Sequence, residues 1–139
     1  MNLPGPRSFE SALPHDRLFP RRAQSIGEAR SFTREALTAR AIQPARVDDM
    51  VLCVSELAAN AVRHAVPKGR LFLVRLLTVD DMVRIEVHDS GAAWRKPRRM
   101  QATVNATAGR GLFLVGALSD EWGVLPRPPG KIVWVEFRK

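Results

Sequence analysis

The sequence predicts an α/β (α+β) two-layer sandwich, in which helices cover one face of a mixed, mostly antiparallel sheet. Two observations predict this fold class. Helical and β periodicities alternate along the chain in the order β-α-α-β-β-loop-α-β-β. Short turns also join the later β runs in pairs, as antiparallel neighbours require. The length suits a single domain over residues 1–139, of which residues 1–7 are rich in Pro and Gly and expected to be disordered.

The first half of the chain predicts one edge strand and two helices. The segment SFESAL (8–13) alternates in part and predicts the first strand. From Ala23, the pattern AQSIGEARSFTREALTARA places its apolar residues on one face of an amphipathic helix. The strongest helix is predicted from Val47 to Ala65, with two adjacent apolar stripes suited to packing on a sheet, and Pro67 and Gly69 end it.

The second half predicts four strands and one helix. LFLVRLLT (71–78) and MVRIEVHD (82–89) form a hairpin around a short turn. About twenty residues without regular periodicity follow, a length that indicates a functional loop. GLFLVGALS (111–119) predicts a short helix, and EWGVL and KIVWVEFR predict two closing strands around the turn PRPPG.

Composition limits the classes of partner. The net charge of +8 is compatible with nucleic acid, an acidic protein or an anionic small ligand. The sequence has no zinc-finger spacing, basic heptad region or base-stacking strand, so nucleic-acid binding rests on charge alone. The single Cys53 excludes an internal disulfide. Together with the lack of a signal peptide or an apolar membrane span, it predicts a cytoplasmic protein without a membrane partner.

Three polar signals interrupt this pattern. Glu56, Asn60 and His64 recur at intervals of four and therefore share one face of the strongest helix. Asp89-Ser90-Gly91 directly follows a buried strand, and Gly109-Arg110-Gly111-Leu112 opens the last helix. Each has an ordinary structural explanation, as a solvated helix edge, a turn and a hinge respectively. Each could also serve a ligand, because a carboxylate accepts hydrogen bonds from amines and a helix N-terminus binds anions.

In this order the three signals resemble the GHKL (Bergerat-fold) ATPases. The resemblance covers residues 47–139 clearly and residues 8–46 loosely. The segment SELAANAVRHA, from Ser55, is especially similar to the anti-sigma-factor serine/threonine kinase-like proteins of actinobacteria. Those proteins also tend to end in a Trp-Gly strand and a Gly-Lys-x-Val-Trp strand, as residues 122–123 and 130–134 do here.

The resemblance implies a role for each signal. Asn60 would bind Mg²⁺, Glu56 would be the general base, and His64 would belong to the nucleotide-binding set. Asp89 would hold the adenine amine, with Gly91 making room for the ring. Residues 92–108 would form a lid over ATP. The residues that open the last helix would offer N–H groups to the phosphates: Gly109, Arg110, Gly111 and Leu112.

Two features depart from the family pattern. Relatives often carry a hydroxyl residue on the final strand, near the place of Ile132. The lid is also short and carries Arg95, Lys96, Arg98 and Arg99, which could contact phosphates or an acidic partner or be solvated loop charges.

The implied function is that of an anti-sigma factor. It would bind ATP, sequester a sigma factor and phosphorylate a Ser or Thr of an anti-anti-sigma antagonist, and relatives are commonly homodimers. One alternative is a sequestration module without catalysis, with or without ATP. Since a pure binder does not need a base, the presence of Glu56 favours the kinase. The second alternative is a nucleic-acid-binding protein.

Overall fold

The computed structural model describes residues 15–64, 71–89, 106–127 and 130–139. Within these residues three helices and five strands follow one another as β1, α1, α2, β2, β3, α3, β4 and β5. Their bounds are β1 His15–Pro20, α1 Gln24–Thr38, α2 Pro44–His64, β2 Leu71–Val79, β3 Met82–Asp89, α3 Ala106–Leu118, β4 Glu121–Arg127 and β5 Gly130–Arg138.

The five strands form one sheet in the order β1-β2-β3-β5-β4. Every pairing among them is antiparallel, so the sheet is not mixed, although the predicted two-layer α+β architecture is confirmed. The connection between β3 and β4 contains α3, and β5 then returns between these two strands. This return places the end of β3 beside the start of β5.

Alternation along the strands separates a core face from an outer face. The core face packs against α1 and α2 in one apolar cluster. Its strand members are Phe19, Phe72, Val74, Leu76, Val83, Ile85, Val87, Val133, Val135 and Phe137. The two helices contribute the apolar rows that their periodicity predicts, including Ala29 and Leu37 from α1 and Met50, Val54 and Leu57 from α2.

Some element boundaries differ from the sequence prediction. The predicted strand over residues 8–13 lies outside the described residues, and the first described strand falls on the next segment, HDRLFP. Helix α2 begins at Pro44, where a proline is favoured because the first helical N–H has no partner. Helix α3 begins at Ala106, five residues before the predicted start. No helix within the described residues is long and apolar enough to cross a membrane.

Candidate functional site

One end of the sheet carries a buried ion pair. Asp89, the last residue of β3, lies directly opposite Lys131 of β5, and the Lys131 ammonium donates to Asp89 Oδ2 at 3.1 Å. The two side chains are only 7% and 12% exposed, respectively. Phe72 and Phe19 continue the same row across β2 and β1. At this end of the sheet the Asp89 carboxylate and the Lys131 ammonium therefore lie on the face that the helices cover.

Two arginine contacts orient α2 along the sheet. Near its start, Arg46 Nε donates to the carbonyl of Arg138, at the end of β5 far from Lys131. Near its end, the carbonyl of Val62 accepts from Arg21 Nε at 3.2 Å, and Arg21 follows β1 just beyond Phe19. Helix α2 thus runs the length of the sheet, and its last turns lie at the same end as Asp89.

Glu56 and Asn60 lie in this second half of α2, one turn apart and both half-buried. The carboxylate of Glu56 approaches α3 closely, because a Cβ placed on Gly111 would lie 2.7 Å from Glu56 Oε1. At the other end of α3, Asp120 accepts from Arg46 Nη2 at 2.6 Å. Helices α2 and α3 are therefore antiparallel, and the start of α3 faces the Asn60 half of α2.

The early start of α3 changes the surroundings of the predicted phosphate-binding residues. Gly109 is the fourth helical residue, so its N–H is the first that can bond back within the helix. Arg110, Gly111 and Leu112 follow, at positions where the N–H can bond back along the helix. Gly111 is buried and Leu112 packs against the core. The positive end of the helix dipole consequently lies at residues 106–108, just before the predicted phosphate-binding residues.

Several predicted site residues fall at or beyond the limits of the described residues. His64 is the last residue of α2. Gly91 and most of the predicted lid, residues 92–105 with their basic residues, lie outside the described residues. The structure thus places Glu56, Asn60, Asp89 and the start of α3 at one end of the molecule, and these are the parts of the site that it describes.

The structure corrects the expected location of Ile132, the residue predicted to lie where relatives often carry a hydroxyl side chain. Ile132 pairs with His88 and, by strand alternation, lies on the outer face of the sheet rather than beside Asp89. The residue opposite Asp89 is Lys131, which the sequence analysis noted only as part of the Gly-Lys-x-Val-Trp strand and not as a site residue. The available signal was a lysine at the start of a mainly apolar strand, but its significance depends on the register between β3 and β5.

The described residues also limit the chemistry of the site. Burial raises the pKa of the Cys53 thiol to about 12, with the negative charges of Asp49 and Glu56 adding to the effect, so this cysteine stays protonated and unreactive. Within the described ranges no three His, Cys, Asp or Glu side chains are grouped to hold a metal ion.

Comparisons with known proteins agree with this architecture. The sequence matches the family model of the histidine kinase-like ATPase domain over residues 19–137. No curated protein matches the sequence.

Two solved structures are similar in fold. A structure of the RsbU and RsbW domains of Rv1364c from Mycobacterium tuberculosis superposes with a TM-score of 0.71 at 20% identity, covering 91% of this chain and 32% of that chain. The histidine kinase domain of a blue-light activated histidine kinase from Erythrobacter litoralis superposes with a TM-score of 0.51 at 24% identity, covering 67% and 44%.

This chain therefore spans less than half the length of either solved chain. At these identities the two likenesses establish the fold alone. The family match is broader, since it extends from the last residues of β1 to the last residues of β5 and includes both helices of the site. The chain belongs to the family of histidine kinase-like ATPase domains.

Proposed function

We propose that this chain is an anti-sigma factor that binds ATP with Mg²⁺ and phosphorylates a Ser or Thr of a protein antagonist. The observation that carries the proposal is that the second half of α2, with Glu56 and Asn60, lies towards the same end of the sheet as Asp89 and beside the start of α3. Membership of an ATPase-domain family supports nucleotide binding. The fold shared with a structure that contains an RsbW domain supports the anti-sigma branch of the family.

The described residues fit a purine nucleotide and its metal ion. Asp89 is 5% exposed and presents a carboxylate at the end of the sheet, where it can accept from an exocyclic amine. The start of α3 suits phosphate groups, because unpaired N–H groups and the helix dipole attract anions. Asn60 offers an amide oxygen to Mg²⁺, an ion that often binds through few protein ligands and substrate phosphates.

The general base in this proposal is Glu56. Its carboxylate lies against Gly111, within one turn of the proposed phosphate-binding start of α3. There it can take the proton from the hydroxyl of the incoming Ser or Thr as that oxygen attacks the terminal phosphorus, whose bond to the bridging oxygen breaks and releases ADP. The role of Mg²⁺ is to neutralise the phosphate charges. Asn60, one turn further along α2, would hold the ion.

Nucleotide binding is tested first, by calorimetry with a non-hydrolysable ATP analogue and Mg²⁺. We expect Asp89→Asn to weaken binding about tenfold or more, because the amide presents donors towards the adenine amine and cannot pair with the Lys131 ammonium. Asp81→Asn, in the hairpin at the other end of β3, is the matched control and should bind as the wild type does. Absence of binding to the folded wild type at millimolar nucleotide would refute the proposed site.

Phosphate transfer is tested with labelled ATP and an antagonist recovered by pull-down from the native host. Glu56→Gln should keep nucleotide affinity but lower the transfer rate by about 10²–10⁴-fold, the effect of losing acid–base assistance. Asn60→Ala should impair Mg²⁺-dependent binding as well as transfer. Glu35→Gln, exposed on α1, is the control for general effects of removing a carboxylate.

The same pull-down, with and without ATP and Mg²⁺, separates the alternatives. A sigma factor and an antagonist are the expected partners. Capture of a sigma factor without phosphate transfer to any recovered protein would favour a sequestration module. Salt-sensitive binding to DNA, with neither partner recovered, would favour the nucleic-acid alternative that the net charge of +8 raises.

A further inference from the structure

We propose that Lys131 reads the base of the bound nucleotide, by donating a hydrogen bond to the purine ring nitrogen next to the amine that Asp89 accepts. The inference rests on the proposed nucleotide site and assigns a specificity role to a residue outside the predicted set. It starts from the register of β3 and β5, which places Lys131 directly opposite Asp89.

The geometry makes one recognition unit of the two side chains. Directly opposite residues of antiparallel strands project from the same face, with Cβ atoms about 4.5–5.5 Å apart. The Lys131 ammonium lies 3.1 Å from Asp89 Oδ2, and neither side chain is more than 12% exposed. A strong donor and a strong acceptor are therefore held side by side, partly shielded from water, where each hydrogen bond contributes more than at the surface.

This pairing complements the Watson–Crick edge of adenine. That edge carries an exocyclic amine, which donates, beside ring nitrogen N1, which accepts. Because an ammonium has three N–H donors, Lys131 can keep its bond to Asp89 and donate to N1 at the same time. A purine with a carbonyl in place of the amine would turn an acceptor towards the Asp89 carboxylate, an arrangement that costs affinity.

The test compares ATP with 1-deaza-ATP, which keeps the amine but has a carbon in place of N1. Both are titrated by calorimetry into the wild type, Lys131→Met and Lys139→Met. The methionine at 131 removes the donor while preserving most of the side-chain volume. Lys139 follows the far end of β5, so its substitution is the matched control. The ratio of the two affinities within each protein cancels any general weakening that follows from leaving Asp89 without its ammonium.

We expect the wild type and Lys139→Met to bind ATP about tenfold or more tightly than 1-deaza-ATP, the effect of losing a hydrogen bond to a charged group. Lys131→Met should bind the two nucleotides with nearly equal affinity. If Lys131→Met keeps the wild-type ratio, or the wild type does not distinguish the two, Lys131 only neutralises Asp89 and the inference is wrong while the nucleotide site stands. If the folded wild type binds neither nucleotide, the proposed function itself fails.

Discussion

At the scale of single residues, Gly111 and Glu56 depend on each other. A side chain at position 111 would meet Glu56 Oε1 at 2.7 Å, closer than non-bonded atoms approach. Gly111 has no positive φ and lies inside a helix, so the need here is for space rather than for unusual backbone geometry. The atom in the way is the end of a flexible side chain. An added methyl group is therefore expected to displace the carboxylate rather than to unfold the protein.

Comparing two helical glycines tests this. Gly27 in α1 has only an ordinary contact at 3.6 Å, so Gly27→Ala should raise the free energy of unfolding by about 0.8–1 kcal/mol through helix propensity. Gly111→Ala should raise the free energy of unfolding by less, because the cost of displacing the Glu56 side chain offsets part of the gain in helix propensity. Urea denaturation of both variants measures the difference. An equal gain at the two positions would show that Gly111 does not constrain Glu56.

At the scale of elements, the helices and strands with regular apolar patterns were predicted from the sequence, and those with irregular patterns were not. Helix α2 and the hairpin of β2 and β3 follow regular apolar patterns, so their existence was evident from sequence. Strand β1 lies at the sheet edge with four of its six residues exposed, and its charged HDR segment gives no alternation to detect. The first turn of α3, ATAGR, has no apolar face and contains Gly109, which conceals the true start of the helix.

The residues of the candidate site also fall into those that the sequence could predict and those that it could not. Glu56 and Asn60 were predictable because their spacing lies within one helix. Lys131 was not, because its pairing with Asp89 depends on the return of β5 between β3 and β4, a long-range arrangement that periodicity does not encode. The same register explains why Ile132 was placed in the wrong surroundings, since a shift of one residue moves a side chain to the other face.

The position of α2 depends on Arg46, which joins this helix to β5 and to the turn between α3 and β4. Besides its bonds to Arg138 and Asp120, its guanidinium lies 5.0 Å from the centre of the Phe137 ring. We expect Arg46→Met to lower the free energy of unfolding by about 1–3 kcal/mol, because the bonds it loses are charge-assisted and converge on one partly buried side chain. Arg34→Met is the control, since the Arg34–Asp48 pair is more than half exposed and should contribute less than about 1 kcal/mol. Equal losses in thermal or urea denaturation would mean that Arg46 does not anchor the helix.

At the scale of the whole molecule, a line of ionic contacts crosses the outer face of the sheet. Asp16 of β1 pairs with Arg75 of β2, and Glu86 of β3 lies opposite Arg75. Glu86 in turn accepts from Arg84, which also pairs with Glu136 of β5. Arg84 and Glu136 are almost fully buried, and the guanidinium of Arg84 stacks on Trp134 at 4.5 Å. Four strands are thus linked by charges on the outer face of the sheet, and stability should depend on their ionisation.

Glu86 is the member of this line whose titration should be measurable. Burial alone would raise the pKa of its carboxyl, but the bonds to His88 and Arg84 and their charges outweigh burial and lower it below the ordinary value of 4.5. The folded state therefore binds this proton more weakly than the unfolded state. The resulting stabilisation is complete above about pH 4.5 and is lost as the pH falls through the lowered pKa.

Urea denaturation between pH 7 and pH 3 should accordingly show the free energy of unfolding falling below about pH 4.5, where the unfolded carboxyl begins to take up its proton. Glu86→Gln should be less stable than the wild type at pH 7, because the amide cannot pair with Arg84 and His88 as a carboxylate does. Its stability should also fall less steeply with acid, so the two curves converge at low pH. Glu28→Gln, exposed on α1, should follow the wild-type curve. Parallel curves for Glu86→Gln and the wild type would mean that the acid sensitivity arises elsewhere in the molecule.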